Sequence, residues 1–538
     1  MARLQPARPA VICARGRDAA GAVAYEQLSF SELEAASNRA ALALAGAGIR
    51  RGMRAALMVP PSLDFFTLTF ALFKAGVVPV LIDPGIGVRN LSGCLAHANP
   101  EAFIGVPKAH AARVLLGWAR ASIRINVTVG AKWFWSGSTL GELRDRVPAG
   151  ESFTVIEPAA AETAAILFTS GSTGAPKGAV YTHGMFGAQV SYIRELYGIE
   201  PGEMDLATFP LFALFGPALG MTAVVPEMDA SRPASADPAN IVSAIHKYGI
   251  TNMFGSPALI NRVGRHGEKK NIKLPTLRRA ISAGAPVSAR VLERFTAMLP
   301  EGAQVFTPYG ATECLPVASI GSAEILGETR RRTDEGAGVC VGSPVPGLEA
   351  RIIRISDEAI ASWDDSLLVP PGEIGEIAVK AAHASRSYFN LPAATALAKI
   401  PDGSHFYHRM GDVGYVDLKG RLWFCGRKAH RVVTSQGTLF TIPCEGVFNR
   451  NPRVLRTALV GVRRNGAIEP VLCVELEAGA PGGSQAAIRA ELLELGARHD
   501  LTRQIKTILF HPSFPVDVRH NAKIFREKLA LWAERQPR

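Results

Sequence analysis

The stretch Thr169-Ser170-Gly171-Ser172-Thr173-Gly174-Ala175-Pro176-Lys177-Gly178 constrains this chain more than any other. It follows the apolar run Ala164-Ala165-Ile166-Leu167-Phe168, which reads as a buried strand. Three glycines, four hydroxyls and one lysine make up the loop. Glycines let the backbone turn tightly and bring its N–H groups close to an anion. Hydroxyls add donors, and the lysine adds a mobile positive charge. This is the chemistry of a loop that holds the phosphates of a nucleotide. A Walker A loop needs Gly before the lysine and Ser or Thr after it. Here Pro176 precedes Lys177 and Gly178 follows it.

A chain of 538 residues is too long for one compact core, so at least two domains are expected. The seven cysteines are scattered and form no C-x-x-C, which argues against a disulfide framework or zinc ribbon and for a reducing cytoplasm. The net charge of +12 raises the question of nucleic acid. Basic residues are dispersed, however, with Arg330-Arg331-Arg332 the only tight run and no aromatics interleaved. No nucleic-acid partner is expected. Met1 to Ala10 lacks the apolar segment of a signal peptide. The uncharged stretch Leu206–Pro226 is long enough to span a bilayer, yet Pro210, Gly216, Pro217 and Gly220 break it. It reads as the buried wall of a substrate tunnel, with no transmembrane segment.

Helix and strand signals alternate through most of the chain. Ser31 and Glu34 have capping-box spacing and open an alanine-rich helix that ends near Gly46–Gly48. A second helix is expected over Ser62–Ala75, then a strand over Val77–Ile82 and a turn at Asp83-Pro84-Gly85. Further on, 241–248 and 289–298 read as helices, and 252–254 and 304–307 as strands. The alternation predicts an α/β class with largely parallel sheets. From about 339 the pattern shifts to short β-like segments (Ala350–Ile355, Ile374–Val379, Leu422–Phe424), the expectation for a small, distorted β-barrel. The predicted division is a large N-terminal domain, 1–426, of two α/β subdomains plus that barrel. A small, mobile α+β C-terminal domain, 427–538, follows, with a Gly/Ala/Pro/Ser linker at 478–485.

Four more blocks lie in register with the loop. Tyr309-Gly310-Ala311-Thr312-Glu313 follows the apolar Val305-Phe306. Tyrosine can stack on a base, threonine can bond a phosphate, and a carboxylate suits Mg²⁺, a hard cation. Ala280-Ile281-Ser282-Ala283-Gly284-Ala285-Pro286 is a strand end rich in small residues that a flat ring could approach closely. Tyr407–Asp412 and Gly420–Arg427 supply a carboxylate, Asp412, and a cation, Arg427. Asn521–Arg526 carries Lys523.

Together these blocks resemble the adenylate-forming superfamily of acyl-CoA synthetases, luciferases and adenylation domains. The resemblance implies ATP and Mg²⁺ as cofactors, and acyl-adenylate plus pyrophosphate as first products. It places Thr169, Ser170, Gly171, Ser172, Thr173, Gly174 and Lys177 at the phosphates, with Thr312 and the metal ligand Glu313. Gly284, Ala285, Pro286 and Tyr309 fall at adenine, Asp412 on the ribose hydroxyls, and Arg427 against ribose and α-phosphate. Lys523 would reach into the site for adenylation and bridge the attacking carboxylate and the α-phosphate. The chain also departs from the pattern: Met410 stands for a threonine, and Ala429 for a hinge Asp or Lys. Ala213 in Phe209-Pro210-Leu211-Phe212-Ala213-Leu214-Phe215 replaces the histidine usual in acyl-CoA ligases. These departures put a thioester-forming second step in doubt.

The 209–215 block, Leu439–Glu445 and Phe514–Lys523 resemble a subgroup, the olefin β-lactone synthetases of bacterial long-chain hydrocarbon biosynthesis. That resemblance implies a long-chain 2-alkyl-3-hydroxy acid, adenylated and then closed to a β-lactone by its own hydroxyl. Phe212, Ala213 and Phe215 would line the alkyl pocket. His183, His408, His430 and His520 are candidate proton acceptors by residue type alone. A long-chain acyl-CoA ligase, or an acyl-AMP ligase that loads a carrier protein, stays open as an alternative. Assembly with neighbouring pathway enzymes and peripheral association with a membrane are both compatible with an insoluble substrate.

Overall fold

The computed structural model describes residues 1–148, 150–169, 176–464, 466–477, 484–517 and 523–537. The phosphate-loop residues Ser170, Gly171, Ser172, Thr173 and Gly174, the side chain of Thr169, most of the 478–485 linker, and His520 fall outside them.

Two large sheets organise the chain before residue 427. A seven-stranded sheet runs in the order 138–139, 125–128, 102–105, 54–58, 78–81, 163–169, 177–182. All its pairings are parallel except the last, where Thr163–Thr169 turns back on Lys177–Thr182 with Thr169 opposite Lys177. The second sheet has a parallel core, from Thr222–Val225 through Met204–Ala207, Asn252–Phe254 and Arg279–Ile281 to Gln304–Ala311. It continues without a break through antiparallel strands, from Cys314–Gly321 to Glu349–Ile353. The β-rich segment expected after 339 is therefore an antiparallel extension of the large sheet.

The strands of the parallel cores read as short apolar runs because both faces are covered. Val78–Leu81 is buried at every position, as is Thr222–Val225. Helices cover the faces and carry their own start signals. Ser62 caps Leu63–Lys74, accepting from the Phe65 N–H. The first helix, Phe30–Gly46, is capped by Ser29, whose side chain pairs with Glu32 in a complete capping box. The Ser31/Glu34 pair has the same spacing but lies two residues inside the helix. Phe30 is buried and packs in the core, which sets the entry point at Ser29.

After Arg427 the topology changes. A hairpin (Val432–Thr434 with Gly437–Leu439) precedes a separate three-stranded sheet of Val454–Arg464, Ala467–Leu476 and Thr507–Phe510. The helices Thr441–Asn449, Gln485–Ala497 and Arg526–Glu534 accompany it. Among the described residues no helix is long and apolar enough to cross a membrane.

Candidate active site

A cavity of about 1060 Å³ lies where the two large sheets and the C-terminal segment meet. Its polar end is built on the tight turn between Gln304–Ala311 and Cys314–Gly321. Gly310 is required there, since a Cβ would stand 2.6 Å from the Cys314 carbonyl oxygen. The turn holds Thr312 and Glu313 at the cavity wall. Two side chains pin it from outside: the Tyr181 hydroxyl donates to the Thr312 carbonyl, and Gln189 Nε2 donates to the Leu315 carbonyl at 2.7 Å. Glu313 is buried, and its Oε1 accepts from the Tyr388 hydroxyl at 2.7 Å. Burial, with that contact, pushes the Tyr388 phenol far above its ordinary pKa. Lys177 lies with its ammonium 5.1 Å from the centre of the Tyr388 ring, a cation–π distance.

Next to this group the candidate His408 meets a partner that the sequence did not single out, Lys399. The Lys399 Nζ is 3.0 Å from His408 Nδ1, and both residues are buried. Burial lowers Lys399 to about 8, against the pull of Glu313. Burial and the Lys399 charge hold His408 well below 6.5, so its ring is neutral at pH 7. Lys399 and His408 stand nine residues apart on strands that pair antiparallel, a meeting that no local motif announces.

The other polar group is centred on Asp412. Its Oδ2 accepts from the Tyr309 hydroxyl at 2.7 Å, and its Oδ1 lies 2.9 Å from an Arg427 guanidinium nitrogen. The Arg427 contact has ion-pair distance but not hydrogen-bond direction, so Oδ1 remains a buried acceptor without a donor. Asp412 and Arg427 face each other in register across paired strands, which fixes the contact. Burial raises Asp412, while Arg427 and the Tyr309 hydroxyl oppose the rise. Asp412 raises Arg427 in return. Lys523 borders the cavity too, and its charge is felt at Asp412. Among the described residues, two contacts tie down the segment that carries Lys523. The Asp517 N–H donates to the Lys523 carbonyl at 2.9 Å, and Arg526 makes two 2.7 Å bonds to the buried carboxylate of Glu445.

Next to the polar groups the cavity turns apolar. Phe209, Leu211, Phe212, Leu214 and Phe215 line it, with Phe254 packed 4.4 Å from Phe212, centroid to centroid. Ala213 differs from the expectation. It is 1% exposed, belongs to the core cluster and is not among the lining residues. The short helix Pro210–Ala213 turns its neighbours toward the chamber and Ala213 away from it. Likewise Gly284 borders the cavity, but Ala285 and Pro286, in the turn beyond it, do not. More wall comes from the helix Val88–Ala98, through Arg89, Asn90, Gly93, Cys94 and His97. Of the candidate histidines, His183 and His408 border the cavity; His430 does not. Burial, with Arg526, Arg427 and Lys523 nearby, drives His430 down to about 3.

Asp412, whose Oδ1 has no hydrogen-bond donor among the described residues beyond the ion-paired Arg427, fits a ribose hydroxyl, and the Glu313 carboxylate suits Mg²⁺ held chiefly by phosphates. A nucleotide end and an apolar chamber in one cavity define a class of enzyme that joins a nucleotide to an apolar acid. The chain belongs to the AMP-binding enzyme family, whose model matches residues 1–389. It is 51% identical to the olefin β-lactone synthetase of Xanthomonas campestris pv. campestris, a match that covers 100% of this chain and 96% of the relative. It is 50% identical to that of Stenotrophomonas maltophilia, over 99% and 96%. Its fold is that of the amide bond synthetase McbA from Marinactinospora thermotolerans, with a TM-score of 0.80 at 24% identity over 98% of this chain and 97% of that one.

Proposed function

We propose that this protein converts a long-chain 2-alkyl-3-hydroxy fatty acid to a β-lactone at the expense of ATP, as the last activation step towards an olefin. The observation that carries the reading is one cavity in which Lys177, Glu313, Arg427 and Lys523 border a phenylalanine-lined chamber, with Asp412 buried beside it against Arg427. Full-length likeness to two olefin β-lactone synthetases supports the particular product.

In the first step a carboxylate oxygen of the acid attacks the α-phosphorus, and the bond to pyrophosphate breaks. Bound Mg²⁺ neutralises phosphate charge. Lys523 sits where it offsets charge on the attacking and equatorial oxygens, and Lys177 does so at the leaving end. Asp412 orients the ribose through Oδ1, and Tyr309 keeps its other oxygen occupied, so the carboxylate cannot swing. Thr312 donates to a phosphate oxygen. In the second step the substrate's own 3-hydroxyl oxygen attacks the acyl carbon, the carbon–oxygen bond to AMP breaks, and the hydroxyl proton leaves to a base. Intramolecular attack has a high effective concentration, which offsets the strain of the four-membered ring. No thiol has to enter, so Ala213 need not be the histidine of the acyl-CoA ligases.

We place the domain division at 426/427, so that the segment carrying Lys523 moves with the C-terminal unit. The compartment we propose is the cytoplasm, in keeping with seven free, buried cysteines. Assembly with neighbouring hydrocarbon-pathway enzymes is part of the same proposal.

The test is incubation of the pure protein with ATP, Mg²⁺ and a long-chain 2-alkyl-3-hydroxy acid, with and without coenzyme A, read by proton NMR of the organic extract. A β-lactone formed without coenzyme A is expected. A thioester formed only with coenzyme A would return the protein to the acyl-CoA ligases.

A further inference from the structure

The span from Ala102 to Gly141 contains no Asp or Glu and five cations: Lys108, Arg113, Arg120, Arg124 and Lys132. It also holds five of the sixteen large hydrophobic side chains exposed among the described residues, in a fraction of the chain's length. Leu115 and Leu116 end the helix Pro107–Leu116 at 76% and 53% exposure. Trp133 and Phe134 stand on the loop before Ser138–Thr139 at 55% and 64%. Scattered exposed apolar residues need no explanation; a concentration of them does.

The two apolar pairs belong to one edge of the seven-stranded sheet. Trp135 stacks on His110 of the helix with centroids 5.2 Å apart, and its Nε1 donates to Thr128 Oγ1 at 2.9 Å. The buried Trp135 thus pins the loop to the helix, while Trp133 and Phe134 beside it are left outside. The side chains of Lys108, Arg120, Arg124 and Lys132 are exposed on the same edge. Trp118, just beyond the leucines, shares a core cluster with Cys94, so that core backs the cavity wall made by Val88–Ala98.

We propose that this edge docks the enzyme on an anionic lipid surface. Aromatic and leucine side chains enter the interface while the surrounding cations meet lipid phosphates. Amphipathic aromatics at the headgroup level, flanked by Lys and Arg, are the composition of an interfacial anchor. The absence of any acid across the span favours lipid phosphate over a neutral bilayer. The inference rests on the surface alone and stands whether or not the product is a β-lactone.

The experiment is flotation of the full-length protein with vesicles of phosphatidylcholine alone and of phosphatidylcholine with phosphatidylglycerol, at low and high salt. Binding to the anionic vesicles is expected, weakened by salt, with a blue shift of tryptophan emission. A W133S/F134S variant and an L115S/L116S variant should each lose about tenfold or more in partitioning. Both should keep ATP-dependent turnover of detergent-dispersed substrate, which shows that they are folded. A charge variant, K108E/K132E, gives a third readout and should lose the anionic preference. Failure of the wild-type protein to float with anionic vesicles overturns the proposal. So does floating that all three variants retain. Loss of self-association or of a protein complex in the variants, with no lipid binding by the wild type, would instead assign the edge to a protein partner.

Discussion

At the scale of single residues, the site is arranged so that each charged group is held by another residue before any ligand arrives. Tyr309 and Arg427 fix Asp412; Tyr388 fixes Glu313. Substitutions should therefore separate binding from chemistry. Lys523→Ala should cut adenylation about 10²- to 10³-fold, read as pyrophosphate release, with ATP binding and folding kept. Unchanged pyrophosphate release would remove its role. Tyr388→Phe leaves Glu313 Oε1 without its donor inside a buried site. We expect the apparent Mg²⁺ requirement to rise, with kcat lowered by about tenfold, the cost of one lost bond to a charged group. A Mg²⁺ titration that matches the wild type would count against the placement of Glu313 at the metal. The residues that sequence reasoning could name here were those inside contiguous blocks: Lys177, Thr312, Glu313, Asp412, Arg427 and Lys523. Tyr388, Lys399 and Tyr181 were not legible. Each acts on a block from a distant strand or loop, and nothing in its own neighbourhood marks it.

At the scale of elements, local signals were read well where one residue type decides and poorly where packing decides. Ser62 and the helix it caps needed no tertiary context. Ser29 and Ser31 could both have opened the first helix, and the burial of Phe30 chose between them. Ala213 shows the same limit: a chamber wall was legible in the uncharged stretch, but which face of a four-residue helix meets it was not. Chain-length selection is therefore tested at Phe212, which lines the chamber. Phe212→Ala should lengthen the alkyl chain that gives the highest kcat/KM, measured across a homologous series; an unchanged optimum would remove the chamber from substrate selection. A second expectation concerns the strand Met204–Ala207. Asp205 is buried there, bonded to Asn252 Nδ2 at 2.5 Å, and burial raises it to about 7. Between pH 4 and pH 7 the folded state then holds a proton that the unfolded state has released. Stability falls with rising pH across that window, and the whole cost is present above it. Asp205→Asn should remove that cost, stabilising the protein at pH 8 by up to about 4 kcal/mol and by little near pH 4. Melting curves at the two pH values check it, and an equal effect at both would refute it.

At the scale of the whole molecule, the alternating pattern gave the α/β class, but the change from parallel to antiparallel pairing comes at Cys314–Gly321, ahead of the shift of character near 339. That the antiparallel strands extend the large sheet was beyond the sequence, since strand order is set by long-range register. Within the C-terminal unit, the ion pair most directly tied to the chemistry is Arg526–Glu445, because Arg526 lies three residues from Lys523 and the pair ties that segment to the helix Thr441–Asn449. Glu445 is buried and Arg526 half-buried, and among the described residues Glu445 otherwise accepts from the Leu459 N–H. Arg526→Met would leave that carboxylate unpaired, at a cost of about 3–5 kcal/mol to the C-terminal unit. Because burial already raises Glu445, the unpaired group would take up a proton at neutral pH, which holds the loss toward the lower figure. Adding Glu445→Gln should recover most of the stability but not adenylation, since the neutral pair packs without fixing Lys523. Hydrogen exchange of Val454–Arg464 reads the first quantity and pyrophosphate release the second. Recovery of both in the double variant would mean that Lys523 is placed by the fold of its own segment, with the ion pair serving stability alone.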